Sequence, residues 1–168
     1  ELELIEGWKQ VFKSKGHSKS KGADFAVSLP ASWSKKEGDR PNVIKTYTSN
    51  AGHGDVMCMF IVKDLSLTGG YKLTNKEIKE LFQPDELKEF APDGAKVVEA
   101  KYIVLDGEHA GFLVSDLIVR RLDFSVKIRQ STFFTYFMGQ LISISFMVHS
   151  GLDEEVHESL QKQYRPTF

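Results

Sequence analysis

Apolar and polar residues alternate along most of the second half of the chain. In the long segment from Phe124 to Phe137, the first residues alternate, with Phe124, Val126 and Ile128 on one face and Ser125, Lys127 and Arg129 on the other, and the same period returns from Ile142 to Val148. A period of two predicts β-strands with one covered face and one wet face. Two more strands are predicted at residues 96–105 and 110–119, joined by a turn at residues 106–109. Consecutive strands joined by short turns are antiparallel neighbours.

The first half of the chain contains shorter β segments. A short first element is predicted at residues 7–13, and residues 25–29 alternate until Pro30, which cannot donate to a strand ladder. Residues 42–48 predict another strand. Residues 56–63 are apolar on both faces, which predicts a central strand buried on both sides.

Three helices are predicted. Thr74 and Glu77 form a capping-box pattern that starts the first helix, and Pro84 starts a second, shorter one. A terminal helix is predicted from about Asp153, because apolar residues recur there every fourth position; they are Leu152, Val156 and Leu160. Together these elements predict an α+β fold, an antiparallel β-sheet flanked by helices, in one domain covering residues 1–168.

Composition narrows the functional classes. The chain has 168 residues, a net charge of −1 and 12 Phe, which suits one domain with an aromatic core. A nucleic-acid partner is not expected, since the chain as a whole has no basic excess. The single cysteine, Cys58, excludes an internal disulfide, and no apolar stretch reaches the length of a transmembrane segment. The chain begins at Glu1 without a signal peptide, so we expect either a processed protein or a piece of a longer chain, and a lipid anchor upstream fits both.

One basic segment stands out between Lys9 and Lys21. It contains Lys13, Lys15 and Lys19 with interleaved Ser and Gly, and no acidic residue. It could be a patch that contacts anionic groups or a solvated, mobile stretch, and its composition favours the second. We therefore expect residues 1–22 to be a mobile N-terminal segment.

Histidines and carboxylates suggest two weak metal or acid–base candidates. His53 and Asp55 lie in a Gly-rich tetrapeptide that is typical of a tight turn. His149, Asp153 and His157 are spaced by four residues and would share one face if a single helix spanned them, but Gly151 and a strand end intervene. A surface role is favoured for both groups.

The remaining candidates for chemistry fail simple tests. Cys58 lies mid-strand among apolar residues, where a thiol is unreactive, and Glu108 and His109 lie in a predicted turn. Arg120 and Arg121 would point to opposite faces of a strand, so they cannot clamp one anion together. The glycine pair at residues 69–70 lacks the Lys that a phosphate loop requires. We predict no enzymatic activity, no cofactor and no metal.

A sequence motif and the order of elements resemble a known family. Phe25, Val27, Leu29, Pro30 and Trp33 form a Phe-x-Val-x-Leu-Pro-x-x-Trp motif, followed by an edge strand, a central strand, a helical insert, several antiparallel strands and a closing helix. Over roughly residues 23–168 this is similar to the PsbP-like superfamily, which also includes the Ran-binding Mog protein, and in particular to its bacterial exported branch. The resemblance implies an α/β/α sandwich that acts as an accessory or binding protein. It carries over no functional residue, and the lack of an acidic face disfavours a Ran-type partner.

These observations predict a non-enzymatic protein-interaction module of the bacterial cell envelope, periplasmic or envelope-associated, although a cytoplasmic location also fits the sequence. One alternative is an immunity-type protein that binds and blocks a toxin. Another is a small metal-dependent enzyme or metal-binding protein that uses the histidines above. The candidate partner-binding residues are Lys13, Lys15, Lys19, Lys21, Trp33, Asn50, His53 and Asp55.

Overall fold

The computed structural model describes residues 7–49, 56–65, 67, 70–121 and 124–149. In chain order their strands and α-helices are β1 (Gln10–Lys13), β2 (Ala26–Leu29), β3 (Ser34–Glu37), β4 (Val43–Thr48), β5 (Val56–Asp64), α1 (Asn75–Leu81), α2 (Pro84–Lys88), β6 (Lys96–Leu105), β7 (Glu108–Arg121), β8 (Phe124–Phe137) and β9 (Gln140–His149). A short 3-10 helix, Ser18–Ser20, lies between β1 and β2.

Seven of these strands form one antiparallel sheet in the order β3-β4-β5-β9-β8-β7-β6, and β1 pairs with β2 in a separate two-stranded sheet. The long strands predicted from the alternating pattern are confirmed. The β6–β7 turn is tighter than expected, because Asp106 and Gly107 alone form it with φ angles of 50° and 85°. Glu108 and His109, expected in the turn, therefore belong to β7.

Aromatic rings cover one face of the main sheet, which we call the aromatic face. The Phe12 ring of β1 stacks on Phe60 of β5 with centroids 4.6 Å apart and planes 11° apart. Tyr47 meets Phe60 edge-on at 5.6 Å, and Phe25 does so at 6.1 Å. Offset and edge-on ring pairs of this kind are favourable beyond the area they bury. The two-stranded sheet is thus fixed to the main sheet by its inward-facing rings.

The two helices cover part of the opposite face, which we call the helical face. Phe82 and Leu87 are fully buried there, in one cluster with Leu113, Phe134 and Leu141. Gly111 of β7 lies under α2, and a Cβ atom at this position would fall 2.4 Å from Leu87 Cδ2. A glycine here therefore lets α2 approach the sheet closely.

The start of α1 matches the sequence prediction. The Thr74 hydroxyl accepts a hydrogen bond from the Glu77 amide, and the Glu77 carboxylate accepts one from the Thr74 amide at 2.8 Å. This reciprocal capping satisfies two backbone donors that would otherwise be unpaired at the helix start.

Other expectations need correction or fall outside the description. The central strand β5 is not equally buried on both sides, since Cys58, Phe60 and Val62 are fully buried while its other face is only half-buried. Strand β3 was missed, because Ser-Lys-Lys-Glu has no apolar residue and suits an exposed sheet edge. The antiparallel sheet is confirmed, but helical flanking is minor among the residues described. The predicted terminal helix lies outside them.

Substituting Phe12 tests the attachment of the two-stranded sheet. Phe12→Ala should lower the free energy of unfolding by about 3–5 kcal/mol, because it removes the buried ring that stacks on Phe60. Val11→Ala, on the exposed side of the same strand, should change it by less than about 0.5 kcal/mol. Urea denaturation followed by tryptophan fluorescence measures both, and equal effects would contradict this packing.

Candidate partner-binding surface

The basic segment begins with a strand that has one buried side and one exposed side. Phe12 points into the core, whereas Lys9, Val11 and Lys13 are exposed, and 53% of the Val11 surface is accessible. Residues two apart in a strand share a face, so these three side chains form one outer surface. We call Lys9, Val11, Lys13 and Lys15 the basic surface.

Lys19 has a different role from the outer lysines. Its Nζ donates hydrogen bonds to the carbonyl oxygens of Gly38 at 2.5 Å, Arg40 at 3.2 Å and Val43 at 3.3 Å. These three acceptors use all three donors of an ammonium group. Lys21 reaches the same β3–β4 loop and donates to Asn42 Oδ1 at 3.2 Å. These two lysines, predicted as contact residues, thus tie their segment to the main sheet.

Polar contacts among His17, Lys19, Glu37 and Lys45 also attach this segment to the main sheet. His17 Nδ1 accepts a hydrogen bond from the Lys19 amide at 3.2 Å, so the neutral ring carries its proton on Nε2 and donates it to Glu37 Oε2 at 3.0 Å. Lys45 Nζ lies 2.7 Å from Glu37 Oε1. The hydrogen bond from Lys45, and then that from His17, lowers the pKa of Glu37 below its usual value.

Glycine is required in the loop that receives Lys19. A Cβ atom at Gly38 would lie 2.0 Å from the Val43 carbonyl oxygen, which is backbone and cannot move aside cheaply. The Gly38 amide also donates to the Ile44 carbonyl at 3.1 Å. The narrow β3–β4 loop thus places the carbonyl groups of Gly38, Arg40 and Val43 within reach of the Lys19 ammonium group.

Trp33, another predicted contact residue, lies in the core. It is only 3% exposed, and its amide donates to the Pro30 carbonyl at 3.2 Å to close a tight corner. The Gln10 side chain of β1 donates to the carbonyl oxygens of both Pro30 and Trp33. The Leu-Pro-x-x-Trp motif is therefore a structural corner that joins β2, β3 and β1.

Most of the other candidate residues from the sequence lie outside the part of the chain that the structure describes. Asn50, His53 and Asp55 lie outside the described residues, as do Asp153 and His157. His149 is exposed at the end of β9. Within the described part of the chain, no group of three or more His, Cys, Asp or Glu side chains is arranged to hold a metal ion.

Four further candidate groups, those of Cys58, Tyr47, Tyr102 and His109, are buried or lie within hydrogen-bonding distance of a partner. Burial raises the pKa of the Cys58 thiol well above its usual value, and burial also raises the pKa of Tyr47 to about 12. The Tyr102 hydroxyl lies 2.6 Å from His109 Nδ1, in a pair that the sequence did not suggest. The cause is strand pairing, which places His109 beside Val104 and brings it within reach of Tyr102.

A groove of about 580 Å³ between α1 and α2 was also missed from the sequence. It is lined by Leu73, Glu77, Glu80, Leu81, Gln83, Asp85 and Glu86. Asp85 is bonded to Lys88, and Glu77 to Thr74 and Tyr71, and these hydrogen bonds lower the pKa of both carboxyl groups. Carboxylates held ionised in this way are poor general acids.

Comparison with known proteins identifies the fold. The structure is similar to the solution structure of cyanobacterial PsbP (CyanoP) from Synechocystis sp. PCC 6803, with a TM-score of 0.54 and 13% sequence identity. The match covers 93% of this chain and 86% of the CyanoP chain. No family model matches the sequence, and no curated protein matches it significantly. The chain thus has a PsbP-like fold, as its motif and order of elements indicated.

None of the helices in the described ranges combines the length and the apolar character needed to cross a bilayer.

Replacing Lys19 tests its structural role. Lys19→Met keeps the aliphatic stem but removes the ammonium donor from the Gly38, Arg40 and Val43 carbonyl groups, of which Arg40 still accepts from the Val43 amide. It should therefore lower the free energy of unfolding by about 1–3 kcal/mol. Lys13→Met removes an equal charge from the outer surface and should cost less than about 0.5 kcal/mol. Urea titration of both variants measures the difference. A Lys19→Met protein as stable as Lys13→Met would contradict the assignment.

The Glu37 network predicts a pH dependence of stability. Because the pKa of Glu37 is lower in the folded state than its reference value of 4.5, its ionised form stabilises the fold above that pH. This contribution is lost as the pH falls through the folded pKa. The wild type should therefore be more stable than Glu37→Gln at neutral pH, and the gap should close in acid.

Thermal denaturation of both proteins across the acidic range measures this gap. Asp39→Asn, which removes an exposed carboxylate beside Lys36, is the matched control and should have little effect at neutral pH. A gap between wild type and Glu37→Gln that widens in acid would be inconsistent with the network.

Proposed function

We propose that this protein is a non-enzymatic accessory module that binds another protein through its basic surface. The observation that carries the proposal is the two-sided character of β1, with Phe12 locked against Phe60 and with Lys9, Val11 and Lys13 exposed. A surface held in place before binding loses little conformational entropy on binding.

The lysines of the basic segment have two different roles, and this difference supports the proposal. Lys13 and Lys15 point to solvent, where Lys15 forms a long ion pair of 3.5 Å with the exposed Asp24. Lys19 and Lys21 hold their segment against the β3–β4 loop and so orient the outer lysines. The partner we propose presents acidic residues around a small apolar patch that meets Val11.

The remaining predicted contact residues take different places in the proposal. Trp33 supports the surface from within, since it is buried at the corner beneath β1. Asn50, His53 and Asp55 remain candidate contacts in the segment between β4 and β5. A non-enzymatic role is supported by the engaged state of the titratable groups described above.

Two finer proposals accompany this one. We propose that the protein acts in the envelope of a bacterium, either free in the periplasm or tethered by a lipid anchor, which rests on the resemblance to the exported branch of the PsbP-like superfamily. We also propose that the segment from about Asp153, with Leu152, Val156 and Leu160 at every fourth position, supplies the closing helix of an α/β/α sandwich. Its apolar positions would match the half-buried Met57, Met59 and Met147 on the helical face.

Charge reversal tests the proposed binding surface. The tagged Lys13→Glu/Lys15→Glu protein should lose a stoichiometric protein partner that the wild type captures from a native lysate, because like charges then oppose each other at the interface. Lys72→Glu/Lys76→Glu makes the same change in net charge on an exposed region around α1 and should retain the partner. Quantitative mass spectrometry of the captured proteins measures both.

The outcomes separate the hypotheses. Loss of the partner in both double variants would indicate a nonspecific charge effect and refute the assigned surface. Binding that depends on added zinc or manganese would instead favour the metal-binding alternative.

A further inference from the structure

Strand β6 forms one edge of the main sheet. It is the last strand in the order of seven, so its outer side has no strand partner among the described residues. The strand at the other edge, β3, has only four residues, all exposed, and two of them are lysines. Short charged edge strands resist pairing with another chain. Strand β6 has ten residues, so the two edges differ in their capacity to accept a further strand.

A bulge divides β6 into two parts. The register against β7 shifts between Val97 and Glu99, which leaves Val98 without a directly opposed residue. From Glu99 to Leu105 the register is unbroken as far as the turn, and we call these seven residues the open edge. Its two charged residues are Glu99 and Lys101, which form an ion pair of 2.6 Å with each other. The rest of the open edge is uncharged.

The turn after β6 shows which backbone groups point away from the sheet. Asp106 and Gly107 both have positive φ angles, as in a type I′ turn, so the carbonyl group before the turn bonds to the amide after it. Leu105 and Glu108 are therefore a hydrogen-bonded pair of the β6–β7 ladder. Bonded and non-bonded pairs alternate along such a ladder. The residues of the open edge that direct their amide and carbonyl groups outward are thus Ala100, Tyr102 and Val104.

The open edge also exposes apolar surface. The Val104 side chain is 60% exposed. Ala100 and Tyr102 pack against the cluster on the helical face, and Val104 shares that face because it lies two residues further along the strand. A strand added to this edge would pair the outward backbone groups and cover Val104 at the same time.

A second copy of this chain fits the open edge in one register. When Tyr102 is set opposite Tyr102 of the second copy in antiparallel pairing, Ala100 lies opposite Val104 of the second copy. All outward amide and carbonyl groups of both open edges are then paired. The two bulges stay outside the paired region, because the register is centred on the middle residue of the seven.

Side-chain charges favour the same register. It places Lys101 opposite Ile103 of the second copy and Glu99 opposite Leu105 of the second copy, so no like charges are directly opposed. Moving the centre to Lys101 would oppose this lysine to itself, and moving it further from the turn would pair residues across the bulge. Moving the centre towards the turn would leave fewer residues paired.

We propose that two copies of this protein pair through their open edges, centred on Tyr102, and join their main sheets into one. The contact is two-fold symmetric, with the same surface on both copies. A single pair of seven-residue strands is a small interface, so the dimer is weak and forms as the concentration rises. This goes beyond the proposed protein-binding role and does not use the basic surface.

Sedimentation equilibrium tests the proposal on the full 168-residue chain. The apparent mass of the wild type should rise from that of one chain towards that of two between about 10 µM and about 1 mM. Val104→Pro removes an outward amide from each copy, and an edge strand tolerates proline where the amide faces away from the sheet. This variant should associate at least about tenfold more weakly.

Val98 supplies a matched control on the same strand. Val98 is 48% exposed but lies outside the open edge. Val104→Asp places a carboxylate in the interface and should also weaken association by at least about tenfold. Val98→Asp makes the same change in charge and should dimerise like the wild type. Thermal denaturation checks that each variant is folded.

Disulfide formation tests the register itself. Directly opposed residues of a hydrogen-bonded pair have Cα atoms about 5.5 Å apart, within the range of a disulfide. Tyr102→Cys should therefore form a linked dimer on mild oxidation, as measured by non-reducing gel electrophoresis. Val98→Cys should not, because the two Val98 positions lie more than about 20 Å apart in this register. The native Cys58 is fully buried.

Each contrary result overturns the proposal. These results are a wild type that stays monomeric throughout the concentration range, undiminished association of Val104→Pro, or linkage of Val98→Cys as efficient as that of Tyr102→Cys. If Lys13→Glu/Lys15→Glu abolishes self-association while Val104→Pro retains it, the basic surface is the contact between copies instead. If the wild type is monomeric and Val104→Pro loses a captured protein, the open edge accepts a strand of another protein.

Discussion

The stack of Phe12 on Phe60 joins two sheets that share no backbone hydrogen-bond ladder. The two-stranded sheet is too small to be stable alone, because a pair of short strands buries little apolar surface. Its inward-facing rings pack on the aromatic face of the main sheet and shield the apolar side chains there from water. The exposed side of β1 is oriented as a consequence. The hydrogen bonds from Lys19 to the β3–β4 loop and the Glu37 network then attach the connection between β1 and β2 to the main sheet.

Much of the fold was predictable from periodicity, because a half-buried strand needs an apolar residue at every second position. The long strands β6 to β9 carry this signal clearly, and α1 carries its own capping box. Strand β3 carries no such signal, since an edge strand that faces water on both sides has no apolar face to encode. The unequal burial of β5 was also hidden, because Met57 and Met59 fit a buried face and a half-covered face equally well.

The candidate site was less predictable than the fold. Nothing in the composition of the Lys-Ser-Gly segment indicates that Lys19 meets three carbonyl groups about twenty residues away in sequence, since such contacts depend on how the chain folds back. Trp33 was predicted to contact a partner, but it is buried at the corner that joins β2 and β3. The extension of β7 and β8 beyond the paired ends of β6 and β9 was hidden as well, because a strand's sequence does not reveal where its neighbours end.

The basic surface of β1 combines exposed lysines with the exposed side chain of Val11. The aromatic stack of Phe12 on Phe60 holds this surface in place. Amide hydrogen exchange of the intact protein tests that bracing most directly. The account predicts that the amides of β1 and β2 exchange slowly and become unprotected together with those of β5 and β9, as one cooperative unit. Exchange of the β1 amides at rates typical of an unfolded chain, while β5 and β9 stay protected, would contradict it.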